Sequence, residues 1–267
     1  MNQLFDRNVI IKSKNKAFEN WQDYNFLFNM VADILYEKIH ELKENFNNIL
    51  FLSSDCFELL NKEKLKFKKM VLVSEYIELL KLTPDSKKHI FRVNCNFENL
   101  CLRKENFDLL ITNLCLHKIN DVKNFSSSLL TFLEKKGLLV CTYFGNKSLI
   151  ELRNSFIIAD DCLRQSTHQR IIPLIDMIDA TTIFQKAGFS EIVADSTTIK
   201  IKYKSLEKLL NDIRGMGENN CLTRRYKGLF SKHYLEETER IYKEKFSDES
   251  GDLIVTCDIV TLVMWKN

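Results

Sequence analysis

Proline and glycine are scarce in this 267-residue chain, at two and seven residues. Without Pro-, Gly- or Ser-rich stretches it has no composition for a long flexible linker, so a continuous folded unit is expected. Neither sign of charge dominates: 39 basic residues face 36 acidic ones, for a net charge of +3. The charges are interleaved, which argues against nucleic acid as a partner. The densest basic stretch, residues 62–69, reads as a solvated helix end before a strand. No apolar run approaches the roughly 20 residues of a membrane-spanning helix, so membrane association would come only peripherally, through a partner. The eight cysteines form no C-x-x-C pair and the five histidines are scattered. That disfavours zinc and a disulfide framework, and the polar, charged start does not read as a signal peptide. Buried free thiols in a reducing compartment fit better, either a bacterial cytoplasm or a space like the mitochondrial matrix.

What is present is an alternation. Apolar residues at Phe28, Val31, Ala32, Leu35, Ile39 and Leu42 have helical spacing over 24–42. Short apolar runs at 48–52, 70–73, 90–93, 107–113 and 138–143 read as strands, with helical stretches at 75–82 and 122–133 and a turn at 83–85. Nearly continuous apolar strands separated by helices predict a parallel sheet covered on both faces. Later come helices over 148–165, 176–186, 205–213 and 232–245, two strand-like stretches in 191–203, and a terminal strand over 252–265. Gly188 suits a left-handed helix end. The predicted fold is α/β and Rossmann-like, a mostly parallel seven-stranded sheet with an antiparallel last strand. It forms one domain: an N-terminal helical segment (1–44), a Rossmann-like half (45–145), and partner-side elements with C-terminal strands (146–267).

Several segments carry a resemblance. They include Leu4-Phe5-Asp6-Arg7, Phe107-Asp108-Leu109-Leu110-Ile111-Thr112-Asn113 with the following Leu114-Cys115-Leu116-His117, Leu149-Ile150-Glu151-Leu152-Arg153, and Gln169-Arg170-Ile171-Ile172-Pro173. The most specific is Arg214-Gly215-Met216-Gly217-Glu218. With these the chain resembles the S-adenosylmethionine (SAM)-dependent methyltransferase superfamily. Within it the chain is similar to a subgroup of alphaproteobacteria and mitochondria that includes an assembly factor of respiratory complex I described as an arginine hydroxylase. Malonyl-carrier-protein methyltransferases are more distant. The resemblance implies SAM as cofactor and a complex I subunit as protein substrate. The fold alone would also suit methyl transfer to a small molecule or carrier protein, or a binding protein without catalysis.

The resemblance also implies where SAM would lie, and there the chain departs from the family pattern. The turn after the first strand is Gly-rich in the family, because a Cβ would occupy the cofactor's space. Here it reads Ser53-Ser54-Asp55-Cys56-Phe57, with no glycine. The second strand should end in a carboxylate that grips both ribose hydroxyls. Leu72 or Val73 stands at that position, with Glu75 close but shifted. Asn94 or Asn96 would face the adenine, although short polar residues after strands are common. Ser53, Ser54, Asp55, Glu75 and Asn94 are therefore the candidates for a degenerate SAM site.

For chemistry, Asn113 and His117 follow the fourth strand, where substrate-facing groups belong; His117 is a candidate base. Asp108, early in that strand, reads as structural. Arg153, Arg170 and Arg214 offer planar forks for a substrate protein, or simply pair with Glu151, Asp160 or Asp212. Gly215, Gly217 and Glu218 form either a tight corner or a loop shaped around a partner. Cys221 has no neighbouring base, and Trp21 and Tyr24 are either lid or core.

Overall fold

A computed structural model describes residues 3–43, 45–55, 59–60, 65–83, 89–164, 167–228 and 230–267. Cys56 and Phe57, part of the basic stretch 62–69, Asp85 of the turn and Gln165 lie outside the described residues. Seven strands form one sheet in the order β3-β2-β1-β4-β5-β7-β6. They are β1 (Asn45–Ser53), β2 (Lys66–Ser74), β3 (Ile90–Asn94), β4 (Phe107–Asn113), β5 (Leu133–Phe144), β6 (Phe189–Tyr203) and β7 (Leu253–Lys266). β1 to β5 pair in parallel, and β7 runs antiparallel to both β5 and β6. The predicted architecture is therefore observed.

β4 shows why the central strands could be read. All seven of its residues are buried, so a continuous apolar run is what the position demands. Its one early charge, Asp108, accepts the backbone N–H groups of Asn47 and Asn48 at 2.8 Å each and so pins β1 to β4. The stretch read as two strands in 191–203 is one long strand with a register shift between Ser190 and Val193. It lies at the sheet edge and much of it is exposed, which weakens its hydrophobic pattern.

Among the described residues the helices are α1 (Arg7–Ala17), α2 (Phe26–Leu42), α3 (Ile77–Leu82), α4 (Val122–Phe132), α5 (Ile150–Arg164), α6 (Met177–Ala187), α7 (Leu206–Gly215) and α8 (Lys232–Phe246). Asp121, Asp176, Ser205 and Ser231 cap α4, α6, α7 and α8, each accepting a first-turn backbone N–H. Gly188 ends α6 at φ +106°, as its type predicted. The α2 stripe is buried from Leu27 to Ile39, but Leu42 is exposed. None of the described helices is long and apolar enough to cross a membrane.

The sequence pattern gave no clear sign of α1. It is capped by Asp6 through Val9 N–H. Its buried residues are Ile10, Lys14 and Ala17, one helical face with a lysine at its centre. The segment before it crosses the loop side of the sheet. The backbone N–H of Phe5 donates to Asn120 Oδ1 at 2.8 Å, and that of Asp6 to Cys221 O at 2.8 Å.

Candidate functional site

The sheet order reverses direction between β1 and β4, the place where open α/β sheets form their ligand crevice. Ser53, Asn113 and Thr142 lie in one register row across β1, β4 and β5. Asn113 is fully buried; its amide donates to Asp55 O at 3.0 Å and its carbonyl accepts Thr142 Oγ1 at 2.6 Å. Asp55 N–H donates to Ser53 Oγ at 2.8 Å, and Ser54 Oγ donates to Leu114 O at 2.9 Å. Ser53, Ser54 and Asp55 are all buried. Asn113 and the described turn after β1 thus form one internally bonded knot, which His117 does not join.

Glu75 follows β2 directly. Its carboxylate accepts Arg7 of α1 and the backbone N–H of Phe97 at 2.6 Å. Arg7 also donates to Glu98 at 2.7 Å, and Glu98 in turn accepts the backbone N–H groups of Asn120 and Asp121. Asn94 donates its amide to Ser74 O at 2.9 Å. Over this end lies a buried aromatic layer, with Phe18 and Trp21 4.9 Å apart and Trp21 and Phe28 4.7 Å apart. Where the fold family holds its cofactor, Ser53, Ser54, Asn113, Glu75 and Asn94 each hydrogen-bond within the protein. A nucleoside ribose, which takes a carboxylate as acceptor, would here compete with Arg7 and the Phe97 N–H for Glu75.

Leu114 leaves β4 at φ +50°, a left-handed turn costing of order 1 kcal/mol for a non-glycine residue. The 3-10 turn Leu116–Lys118 follows and puts His117 and Lys118 side by side in the interior. Both converge on Glu218. Lys118 Nζ lies 2.5 Å from Glu218 Oε2, Lys14 Nζ 2.6 Å from Oε1, and His117 Nε2 3.3 Å from Oε2. Lys14 has no exposed surface; it also donates to Met216 O at 2.9 Å and sits 4.6 Å from the Phe28 ring centre. Burial pushes the Glu218 pKa upward, but Lys118 and Lys14 outweigh it and hold the carboxyl well below its usual range. Burial lowers both Lys14 and His117, and Glu218 offsets this only partly.

The glycines of the same motif serve this corner. A Cβ on Gly215 would come within 2.3 Å of the Tyr24 ring. Gly217 has φ +68°, and a Cβ there would meet Lys14 Cα at 3.1 Å. Trp21 is core, 3% exposed. Cys221 is buried, and burial raises its thiol pKa.

The three arginines part company. Arg170 pairs with buried Asp160 through Nε and Nη2, the latter at 2.6 Å, inside a cage of Phe156, Tyr226, Phe230 and Tyr234. Burial raises Asp160, but the Arg170 and His168 N–H bonds outweigh it and leave its pKa low. Arg153 donates to the carbonyls of Asn146 and Ser148 rather than to Glu151. Arg214 is exposed and donates to Asn211 Oδ1 at 3.2 Å, while Asp212 pairs with Lys208.

Beside the Glu218 cluster lies a cavity of about 280 Å³. α5, α7, β6 and β7 supply an apolar wall that includes Leu152, Phe156, Ile201, Leu209, Ile213 and Val255, and His117, Glu218, Arg170 and Arg214 are also on the lining. Among the described residues no group of three or more His, Cys, Asp or Glu is placed to hold a metal ion.

Sequence reasoning missed Lys14 and Lys118, because lysine is usually solvated. One signal was available for Lys14: it falls between Ile10 and Ala17 on an apolar helical stripe.

The fold and the crevice at the strand ends define an α/β protein of methyltransferase type. No family model matches the chain. It is 26% identical over 269 residues to the human mitochondrial protein named arginine-hydroxylase NDUFAF5, covering 98% of this chain and 77% of that one. It is 31% identical over 186 residues to a Rickettsia prowazekii protein named as a methyltransferase, RP459, covering 69% of this chain and 81% of that one. Among solved structures, a Haemonchus contortus phosphoethanolamine N-methyltransferase in complex with S-adenosylhomocysteine superposes with TM-score 0.53 at 15% identity, over 90% of this chain and 52% of that chain. The chain belongs to the SAM-dependent methyltransferase superfamily, in the group that contains NDUFAF5 and RP459.

Proposed function

We propose that this protein is an assembly factor of respiratory complex I that binds a subunit of that enzyme on the loop side of its sheet, in a bacterial cytoplasm or a matrix-like compartment. It holds the subunit rather than turning over SAM. Support for the partner comes from likeness to NDUFAF5 along 98% of the chain. Support for the holding role comes from one observation above all. Glu218, in the Arg-Gly-Met-Gly-Glu motif, gathers Lys14, Lys118 and His117, and so fixes α1 over the cofactor end. Arg214 and Arg153 are the groups proposed to meet the partner; Arg170, held by Asp160, shapes the wall behind them.

The test combines two measurements on the whole protein. Capture from its own cells should retrieve a complex I subunit; failure to retrieve one sinks the partner reading. Calorimetry with SAM should show no binding below the millimolar range. A tighter dissociation constant would replace the holding role with SAM-dependent modification of the same subunit. In that case His117 becomes the candidate base, with Asn113 as the group positioning the loop after β1.

A further inference from the structure

We infer that the cavity between α5, α7, β6 and β7 binds a small amphipathic acid, with its hydrocarbon part inside and its carboxylate at the mouth beside Arg214. The cavity is graded. Leu152, Phe156, Leu209 and Val255 on its lining are buried, whereas Gln169, Arg214, Tyr226 and Gly228 on the same lining are exposed and mark where it meets solvent. The size fits: about 280 Å³ exceeds the roughly 150 Å³ that a single benzene fills, so a ring with a short chain can enter. Such a wall favours hydrocarbon surface, and the few polar groups at the rim select the head group.

Charge selects an acid. Glu218 is the one carboxylate on the cavity's described lining, and Lys14 and Lys118 already hold it. Three arginines share that lining. Arg170 is committed to Asp160 at 2.6 Å, and Arg225 lies 3.5 Å from Asp6 and donates to Leu222 O at 2.9 Å. Arg214 differs. It donates to the neutral amide of Asn211 at 3.2 Å, and among the described residues no carboxylate pairs with it. The neighbouring Asp212 is taken by Lys208 at 2.9 Å.

Arg214 is also within reach. It is both on the lining and exposed, so no buried group has to move for a ligand to meet it. A long side chain held by one neutral amide can turn its planar fork to a carboxylate and grip both oxygens. A cationic head group would meet a like charge there, and a neutral one would leave the fork without its anion. Arg214 serves the partner proposal too, yet the two readings fail separately. Probe affinities are read on the purified protein, so acid binding can stand when capture fails, and the reverse.

Calorimetry on the full chain tests it with three probes that share one tail: 5-phenylpentanoate, 5-phenylpentanamide and 5-phenylpentylammonium. The acid should bind about fivefold tighter than the amide, the upper range for an ion pair at an exposed arginine, and the ammonium more weakly than either. The preference should shrink in roughly 1 M salt, which screens such a pair. Arg214→Gln should bring the acid down to the amide's affinity, and Ile213→Trp, which puts bulk into the cavity, should weaken both. Equal affinity for acid and amide would overturn the inference. Preference for the ammonium, or no binding of any probe to the unaltered protein, would overturn it too. So would an acid preference that survives Arg214→Gln, because the carboxylate would then be held elsewhere. The probe and salt comparisons on the unaltered protein decide the matter even if a variant fails to fold.

Discussion

The two ends of the strand crevice have opposite characters. At the β1/β2 end, Ser53, Ser54, Glu75 and Asn113 are bonded to one another or to α1, beneath a buried aromatic layer. At the β5/β7 end, a cavity of about 280 Å³ remains beside His117 and Glu218. The two ends differ in how their polar groups are used. At the first end buried polar groups find partners within the protein, because leaving them buried and bare is costly. The apolar wall carries no such penalty and can stay open.

The comparison breaks most readily at the joint between the two ends. Glu218→Ala leaves Lys14 buried without its anion, so stability should fall by about 3–5 kcal/mol. Urea unfolding measures this, and a loss below 1 kcal/mol would show that Lys14 is not held as described. Glu218→Gln should recover part of the loss through hydrogen bonding.

Asn113→Ala removes the tie from β4 to Asp55 O and Thr142 Oγ1, at a cost of about 2–3 kcal/mol. If stability is unchanged, the closed end is looser than its bonds imply. Ser54→Gly probes the same end: the hydroxyl bond to Leu114 O is lost, and a decrease of about 1 kcal/mol is expected, with no gain in SAM affinity by calorimetry.

The pH dependence of the Glu218 corner has one sign and two windows. Folded His117 has a lowered pKa, so below about pH 6.5 the unfolded state takes up a proton that the folded state refuses. Stability should therefore fall as pH drops through about 6.5, by at most about 1.4 kcal/mol per pH unit. Glu218 adds a second loss as the pH falls below about 4.3, the unfolded carboxyl range, toward its depressed folded value. His117→Phe should erase the first phase in pH-dependent unfolding and leave the second. The smallest effect belongs to Arg214→Ala. Being exposed, it should change stability by less than about 0.5 kcal/mol while weakening capture of the partner subunit.

Parts of this site were legible in the sequence. The absence of glycine at 53–55 and the shifted Glu75 set this end apart from the family pattern, and in the structure Ser53, Ser54 and Glu75 hydrogen-bond within the protein. The Arg-Gly-Met-Gly-Glu motif marked a special corner, and its glycines do meet Tyr24 and Lys14. The lysines were not legible as site residues. Nothing local distinguishes a lysine bound for solvent from one whose carboxylate waits 204 residues away, as Glu218 does for Lys14. Arg153, Arg170 and Arg214 looked alike in sequence, yet one contacts backbone carbonyls, one is caged by aromatics and one is exposed.

Sequence alone determined the alternation of elements, the buried central strands and several helix caps, since these depend on local periodicity and on side chains within a turn of their partners. Only the tertiary structure decided that α1 closes over one end of the crevice and that Lys14, Lys118 and His117 meet on Glu218. Those outcomes depend on which distant charges meet in the interior, and burial there fixes both their ionisation and their partners.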